Sequence, residues 1–117
     1  MFKSDSNLAR IDTRTHAITY VPLPGEQQPY HVAVDRNHDA WTNLWGADRI
    51  MRYDPASKTW TAFDLPTRGA EPRYISLLER PGQDMEVAIP YFRTRKVAVM
   101  TLRSEAELAA LKAQAGQ

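Results

Sequence analysis

Two seventeen-residue stretches of this chain carry the same order of apolar and polar positions. Residues 8–24 (LARIDTRTHAITYVPLP) lie over residues 50–66 (IMRYDPASKTWTAFDLP) at an offset of 42, with no gap. Arg10 meets Arg52, Asp12 meets Asp54, Thr19 meets Thr61, Leu23 meets Leu65 and Pro24 meets Pro66. Apolar character is kept where Leu8 meets Ile50, Ile18 meets Trp60 and Val21 meets Phe63. Five identities in seventeen exceed the roughly one expected by chance when common residues each run at several per cent. The correspondence continues more loosely. Residues 29–32 (PYHV) answer residues 72–75 (PRYI), and Trp41 answers the apolar run at 87–89 after a small insertion around Pro81 and Gly82.

Within each repeat the apolar runs are short, partly alternating and closed by turn residues, which is the pattern of strands. Residues 31–35 are followed by Asp35-Arg36-Asn37-His38-Asp39, and residues 50–54 by Asp54-Pro55-Ala56-Ser57-Lys58. In the second corner Pro presets φ, and Asp can bond the backbone two residues on. Pro22, Pro24 and Pro66 close the outermost strands, where a missing N–H matters least. A period near 42 is the blade length of a four-stranded β-propeller. The predicted fold class is therefore all-β, a partial propeller of about two and a half blades with a short C-terminal α-helix. One complete blade runs over residues 31–65, preceded by strands at 8–12 and 17–23. Three further strands follow at 73–78, 85–90 and 96–102. Residues 1–103 form the arc, in pieces 1–24, 28–66 and 71–103. Residues 104–117 form the helix: Ser104 and Glu107 fit a capping box, Leu108, Leu111 and Ala115 share a face, and Gly116 stands where a helix would stop. It is expected to cover a blade edge or bottom.

A closed propeller takes roughly four to eight blades, and repeat units need neighbours to bury their faces. The expected partners are thus the remaining blades of a longer protein, or copies of this chain. Composition narrows the rest. A net charge of +1 gives no footprint for nucleic acid and none for an anionic membrane. Cysteine is absent, which excludes disulfides and thiolate metal sites. No apolar run approaches the roughly 20 residues of a spanning helix, and Met1-Phe2-Lys3-Ser4-Asp5 lacks a signal-peptide core.

The run PYHVAVDRNHDAWTNLWGADRIMRYDPASKTWTAFDLP at 29–66 resembles the blade repeat of the virginiamycin B lyase (streptogramin lyase) family. The resemblance covers most of residues 7–100. It implies a seven-bladed propeller, a magnesium ion in a pocket on one face, and opening of cyclic depsipeptide antibiotics by elimination. It also implies catalytic groups at repeat positions: a Glu and a His flanking the Pro that opens the blade, and a Glu three residues after the Trp. Here Gln28, Tyr30 and Leu44 stand at those positions. In the next blade Glu71 is kept before Pro72, while Arg73 and Pro90 replace the others. His31 lies one residue along and should point to the opposite face, because strand side chains alternate; a one-residue bulge would bring it back.

The same positions line the central face, so the candidate ligand-binding residues are Gln28, Tyr30, His31, Asn43, Trp45, Glu71, Arg73 and Tyr91. Aromatic faces with a few polar groups suit a small polar or anionic ligand. The alternative is that Tyr30 and Trp45 pack between blades while Glu71 pairs with Arg73. Trp41 and Trp60 are expected in the core, and His16 and His38 in solvated turns. The expected function is a non-catalytic ligand-binding or interaction module, the C-terminal part of a longer protein. It needs no cofactor in this chain. The alternative is a magnesium-dependent lyase whose catalytic residues lie in other blades. A free-standing chain would be cytoplasmic; a longer parent, by the family's habit of export, periplasmic.

Overall fold

The computed structural model describes residues 6–25, 27–44 and 46–116. Among them the strands are β1 (Asn7–Ile11), β2 (Ile18–Pro22), β3 (Pro29–Val34), β4 (Ala40–Leu44), β5 (Arg49–Asp54), β6 (Thr59–Asp64), β7 (Ser76–Leu78), β8 (Glu86–Pro90) and β9 (Val97–Thr101), followed by helix α1 (Glu105–Ala115). They form three antiparallel sheets in the order β1-β2, β3-β4-β5-β6 and β7-β8-β9. The chain is thus two outer strands of one blade, a whole blade, and three inner strands of a third.

The 42-residue repeat holds down to individual turns. Asp12 Oδ1 accepts from the N–H of Arg14 (2.8 Å) and Thr15 (3.2 Å). Asp54 Oδ1 accepts from those of Ala56 (2.9 Å) and Ser57 (3.4 Å). Four residues on, His16 and Lys58 both turn left-handed, at φ 61° and 57°. The backbone N–H donors at each turn hold both carboxyls below the ordinary 3.8. An acid whose folded pKa is depressed stabilises the fold above its unfolded pKa and loses that contribution as pH falls through the folded value. Both carboxyls are therefore expected to titrate below 3.8 by carbon NMR. Asp54→Ala is expected to lower the melting temperature at neutral pH, and the difference from wild type to shrink as pH falls through the folded carboxyl's depressed pKa.

Two apolar clusters lie between the sheets. The larger joins Trp41 and Ile50 of the complete blade to Ile75, Val87, Ile89 and Tyr91 of the third. The smaller joins Leu23 of the first blade to Leu44 and Met51. β4 is buried on both faces along Trp41–Leu44, as befits a strand with a blade on each side. Trp60 is only half-buried, against the smaller cluster, and its Nε1–H donates to the Pro22 carbonyl at 3.0 Å. Its counterpart Ile18 is 57% exposed. The two hold equivalent sites (Ile18 opposite Ile11, Trp60 opposite Tyr53). They differ because Trp60 packs against the smaller cluster, which includes Leu23, whereas among the described residues no blade covers Ile18.

The flanks are bare. Ile11, Ile18 and Tyr20 on one side, and Val97 and Val99 on the other, are each more than half exposed. The radius of gyration is 15.8 Å, against about 13 Å for a compact domain of this length. The accessible surface is 8539 Å², roughly 2,000 Å² above the scaling for a closed monomer of this mass. Helix α1 adds to that excess. Ser104 Oγ accepts from the Glu107 N–H and the Glu107 carboxylate accepts from the Ser104 N–H, so the capping box forms as expected. The helix buries none of its residues, however, and Leu108 and Leu111 are 44% and 41% exposed. The expected covering of a blade edge is not seen.

Candidate functional site

The candidate residues gather where β3 begins and β4 and β8 end. The pairing of β3 with β4 slips by one residue: Pro29 faces Leu44, yet Val32 faces Thr42. Tyr30 and His31 thus share the place opposite Asn43, a bulge of the kind that re-aims side chains. The buried Asn43 side chain fills the gap. Its Oδ1 accepts from the His31 N–H at 3.0 Å, and its Nδ2 donates to the Pro72 carbonyl of the next blade. His31 follows the same direction: its Nδ1 accepts from the Ile75 N–H at 3.3 Å, and its ring meets the edge of Tyr74 at 5.3 Å. Tyr30 reaches the same Tyr74 ring at 5.9 Å. Tyr30 and His31 thus meet at the Tyr74 ring, while burial along β3 still alternates, with His31 and Ala33 on the less exposed side.

The third blade supplies the other half of the rim. Pro72 bridges Tyr91, which is buried with no hydrogen-bond partner for its hydroxyl among the described residues. The Arg73 guanidinium lies 3.7 Å from the centre of the Phe92 ring, a cation–π arrangement. Glu71 meets Arg93 at 3.1 Å. Tyr30 (48%), Tyr74 (58%) and Phe92 (57%) stay open to solvent. Gln28 is exposed, with no side-chain bond among those described. Trp45 lies outside the described residues.

Tyr74, Phe92 and Arg93 are rim residues that sequence reasoning passes over. The offset that lays PYHV over PRYI already equates His31 with Tyr74, and would have flagged it. Asp48 is a clasp between the start of β5 and the loop after β6. Its two carboxylate oxygens accept from the N–H groups of Gly69 (2.8 Å) and Ala70 (2.9 Å). Two neighbouring cations are paired: Arg49 with Asp64 at 2.7 Å and Arg52 with Asp39 at 3.9 Å. His16 and His38 are exposed in turns.

Among the described residues, the donors that a magnesium ion needs are not gathered. Such an ion wants several oxygen ligands. Leu44, at one of the implied acidic positions, is fully buried among Leu23 and Met51. Glu71 already faces Arg93, and no three His, Asp or Glu side chains gather as a metal site among the described residues.

No protein-family profile matches the chain, and no curated protein matches it. Solved structures do. A streptogramin B lyase structure is 21% identical with a TM-score of 0.58, over 89% of this chain and 36% of that one. A catalytically inactive virginiamycin B lyase from Staphylococcus aureus with quinupristin is 19% identical with a TM-score of 0.59, over 89% and 37%. The selenomethionine-substituted enzyme from the same organism is 19% identical with a TM-score of 0.58. The chain thus folds as an arc of the virginiamycin B lyase propeller and spans a little over a third of that protein's length.

Proposed function

We propose that the chain is a non-catalytic segment of a longer β-propeller, its C-terminal part. It is an interaction module that joins further blades and lends an aromatic, weakly cationic rim to a small polar or anionic ligand. One observation carries this reading: the residues near the implied catalytic positions are engaged in holding blade to blade. Asn43 ties β3 to Pro72, His31 Nδ1 is taken by the Ile75 amide, and Leu44 is core. A general base needs a free lone pair within reach of its proton, and the described rim offers no carboxylate free of a cation. Arg73 stacked on Phe92 and Arg93 beside Glu71 add cationic groups to the aromatic faces of Tyr30 and Tyr74, a mix that suits a small polar or anionic ligand.

Titrating the full chain with citrate is expected to shift the NMR signals of Arg73, Tyr74 and Phe92, and Arg73→Met to abolish the shifts. Shifts scattered away from the rim would remove the ligand half of the proposal. The shared fold supports a second reading, an assembled magnesium-dependent lyase with its reacting groups in other blades. Incubating the chain assembled with the further blades of its longer parent, with quinupristin and magnesium, separates the two. No ring opening is expected, and magnesium-dependent ring opening would put the lyase reading first.

A further inference from the structure

The junction of the complete and third blades has a second opening, at the end opposite the rim. β3 and β7 both run away from the rim, so the turn after β3 (residues 35–39) meets the loop after β7 (residues 79–85) there. A cavity of about 300 Å³ opens between them, at the small end of the range for ligand pockets. One brace sets its width. The Glu79 carboxylate accepts from the Arg36 N–H at 3.1 Å and from the Arg36 Nε–H at 2.7 Å. Met85 and Leu102 line one wall and pack on the larger apolar cluster behind it.

Most charges of this cavity are already engaged. Buried Asp35 accepts from the N–H groups of Asn37 and Asp39 and from Trp41 Nε1–H. Arg36 is held by Glu79. The Arg52 guanidinium lies over the rings of Trp41 and Phe63, at 5.5 and 5.9 Å. Asp39 differs. Its side chain is only 19% exposed, and Arg52 Nε stands 3.9 Å from it, beyond hydrogen-bond reach. Its carboxylate accepts no hydrogen bond among the described residues. Burial, then the charges of Asp35 and Asp54, push its pKa above the ordinary 3.8 against the pull of Arg52. A carboxylate shielded from water without a donor stays destabilised until one arrives.

These features select the kind of donor. An anion would face Asp39 and Asp84 while Arg36 and Arg52 are already engaged. A metal ion wants several oxygen ligands, and no three His, Asp or Glu side chains gather as a metal site among the described residues. A primary ammonium brings its own three N–H donors to a single carboxylate, and its methylene stem can cover an apolar wall. We infer that this cavity binds a small aliphatic primary ammonium ion, its head on Asp39 and its stem along Met85 and Leu102. The site lies at the end opposite the rim and favours the opposite charge, so it stands or falls apart from the functional proposal.

Titrating the full chain with n-butylammonium chloride, followed by NMR, tests this. Saturable shifts are expected at the Asp39 carboxyl carbon and at the Met85 and Leu102 methyls, with the rim signals of Arg73, Tyr74 and Phe92 unmoved. With the amine bound, the Asp39 carboxyl should titrate at lower pH, because a bound cation favours the charged form. Each methylene removed from the stem should weaken binding about fourfold, a series that needs no variant. Asp39→Asn should weaken it at least about tenfold, while the Trp41 indole N–H signal, which rests on Asp35, reports that the turn is kept. Tetramethylammonium chloride, a cation without N–H donors, should leave the signals in place. Equal shifts from tetramethylammonium, a flat series of stem lengths, or undiminished binding by Asp39→Asn would each overturn the inference. So would the lack of any saturable shift with butylammonium.

Discussion

Replacing Trp41 with alanine is expected to abolish the cooperative thermal transition of the chain. Trp41 is fully buried at the junction of the complete blade and the third. Its ring stacks on Phe63 at 5.7 Å, lies 5.5 Å from the Arg52 guanidinium carbon, and its Nε1–H donates to Asp35 Oδ2 at 2.9 Å. Truncating a buried Trp costs about 3–5 kcal/mol. Whole domains hold only about 5–15 kcal/mol, and an arc with bare flanks sits low in that range. Trp41→Phe is the control. It keeps a ring against Phe63 but leaves a buried carboxylate oxygen without its donor, which costs about 1–3 kcal/mol. Urea melts followed by circular dichroism should rank wild type above Trp41→Phe, with Trp41→Ala showing no transition.

Asn43→Leu is expected to loosen the third blade from the complete one before either unfolds. The substitution leaves the His31 N–H without its acceptor and the Pro72 carbonyl without its donor. Each buried group so orphaned costs about 1–3 kcal/mol. The loss falls where the bulge meets the rim. Hydrogen exchange should therefore speed up at Ile75, whose amide rests on His31, while the β5–β6 pairing keeps its protection. Asn43→Asp should do no better, because a carboxylate cannot donate to Pro72 and its charge would be buried. Uniform acceleration across all three sheets would place the contribution of Asn43 elsewhere.

The fold was legible because the repeat is written in residues with local consequences. Asp12 and Asp54 make the same turn, and Leu23 and Leu65 close the same strand. What could not be read depends on partners distant in sequence. The bulge at Tyr30 and His31 exists because a side chain, Asn43, stands in for a ladder partner, and no local pattern announces that. β7 is expected over residues 73–78 but begins at Ser76, because Arg73 and Tyr74 turn to the rim instead of the ladder. The capping box of α1 is local and was readable. Which surface that helix would cover is not local, and the described residues bury none of it. Of the candidate residues, Tyr30, His31, Asn43, Glu71, Arg73 and Tyr91 converge on one rim. Glu71 faces Arg93 instead of the anticipated Arg73, and the three missed rim residues come from loops the repeat matches only loosely.

The most direct measurement compares amide exchange at Ala9 and Ile11 with exchange at Met51 and Tyr53 in the isolated full chain. An open arc leaves the first pair fast and protects the second, although the repeat makes them equivalent. Equal protection of all four would mean that the first blade is already complete, and would contradict the open arc.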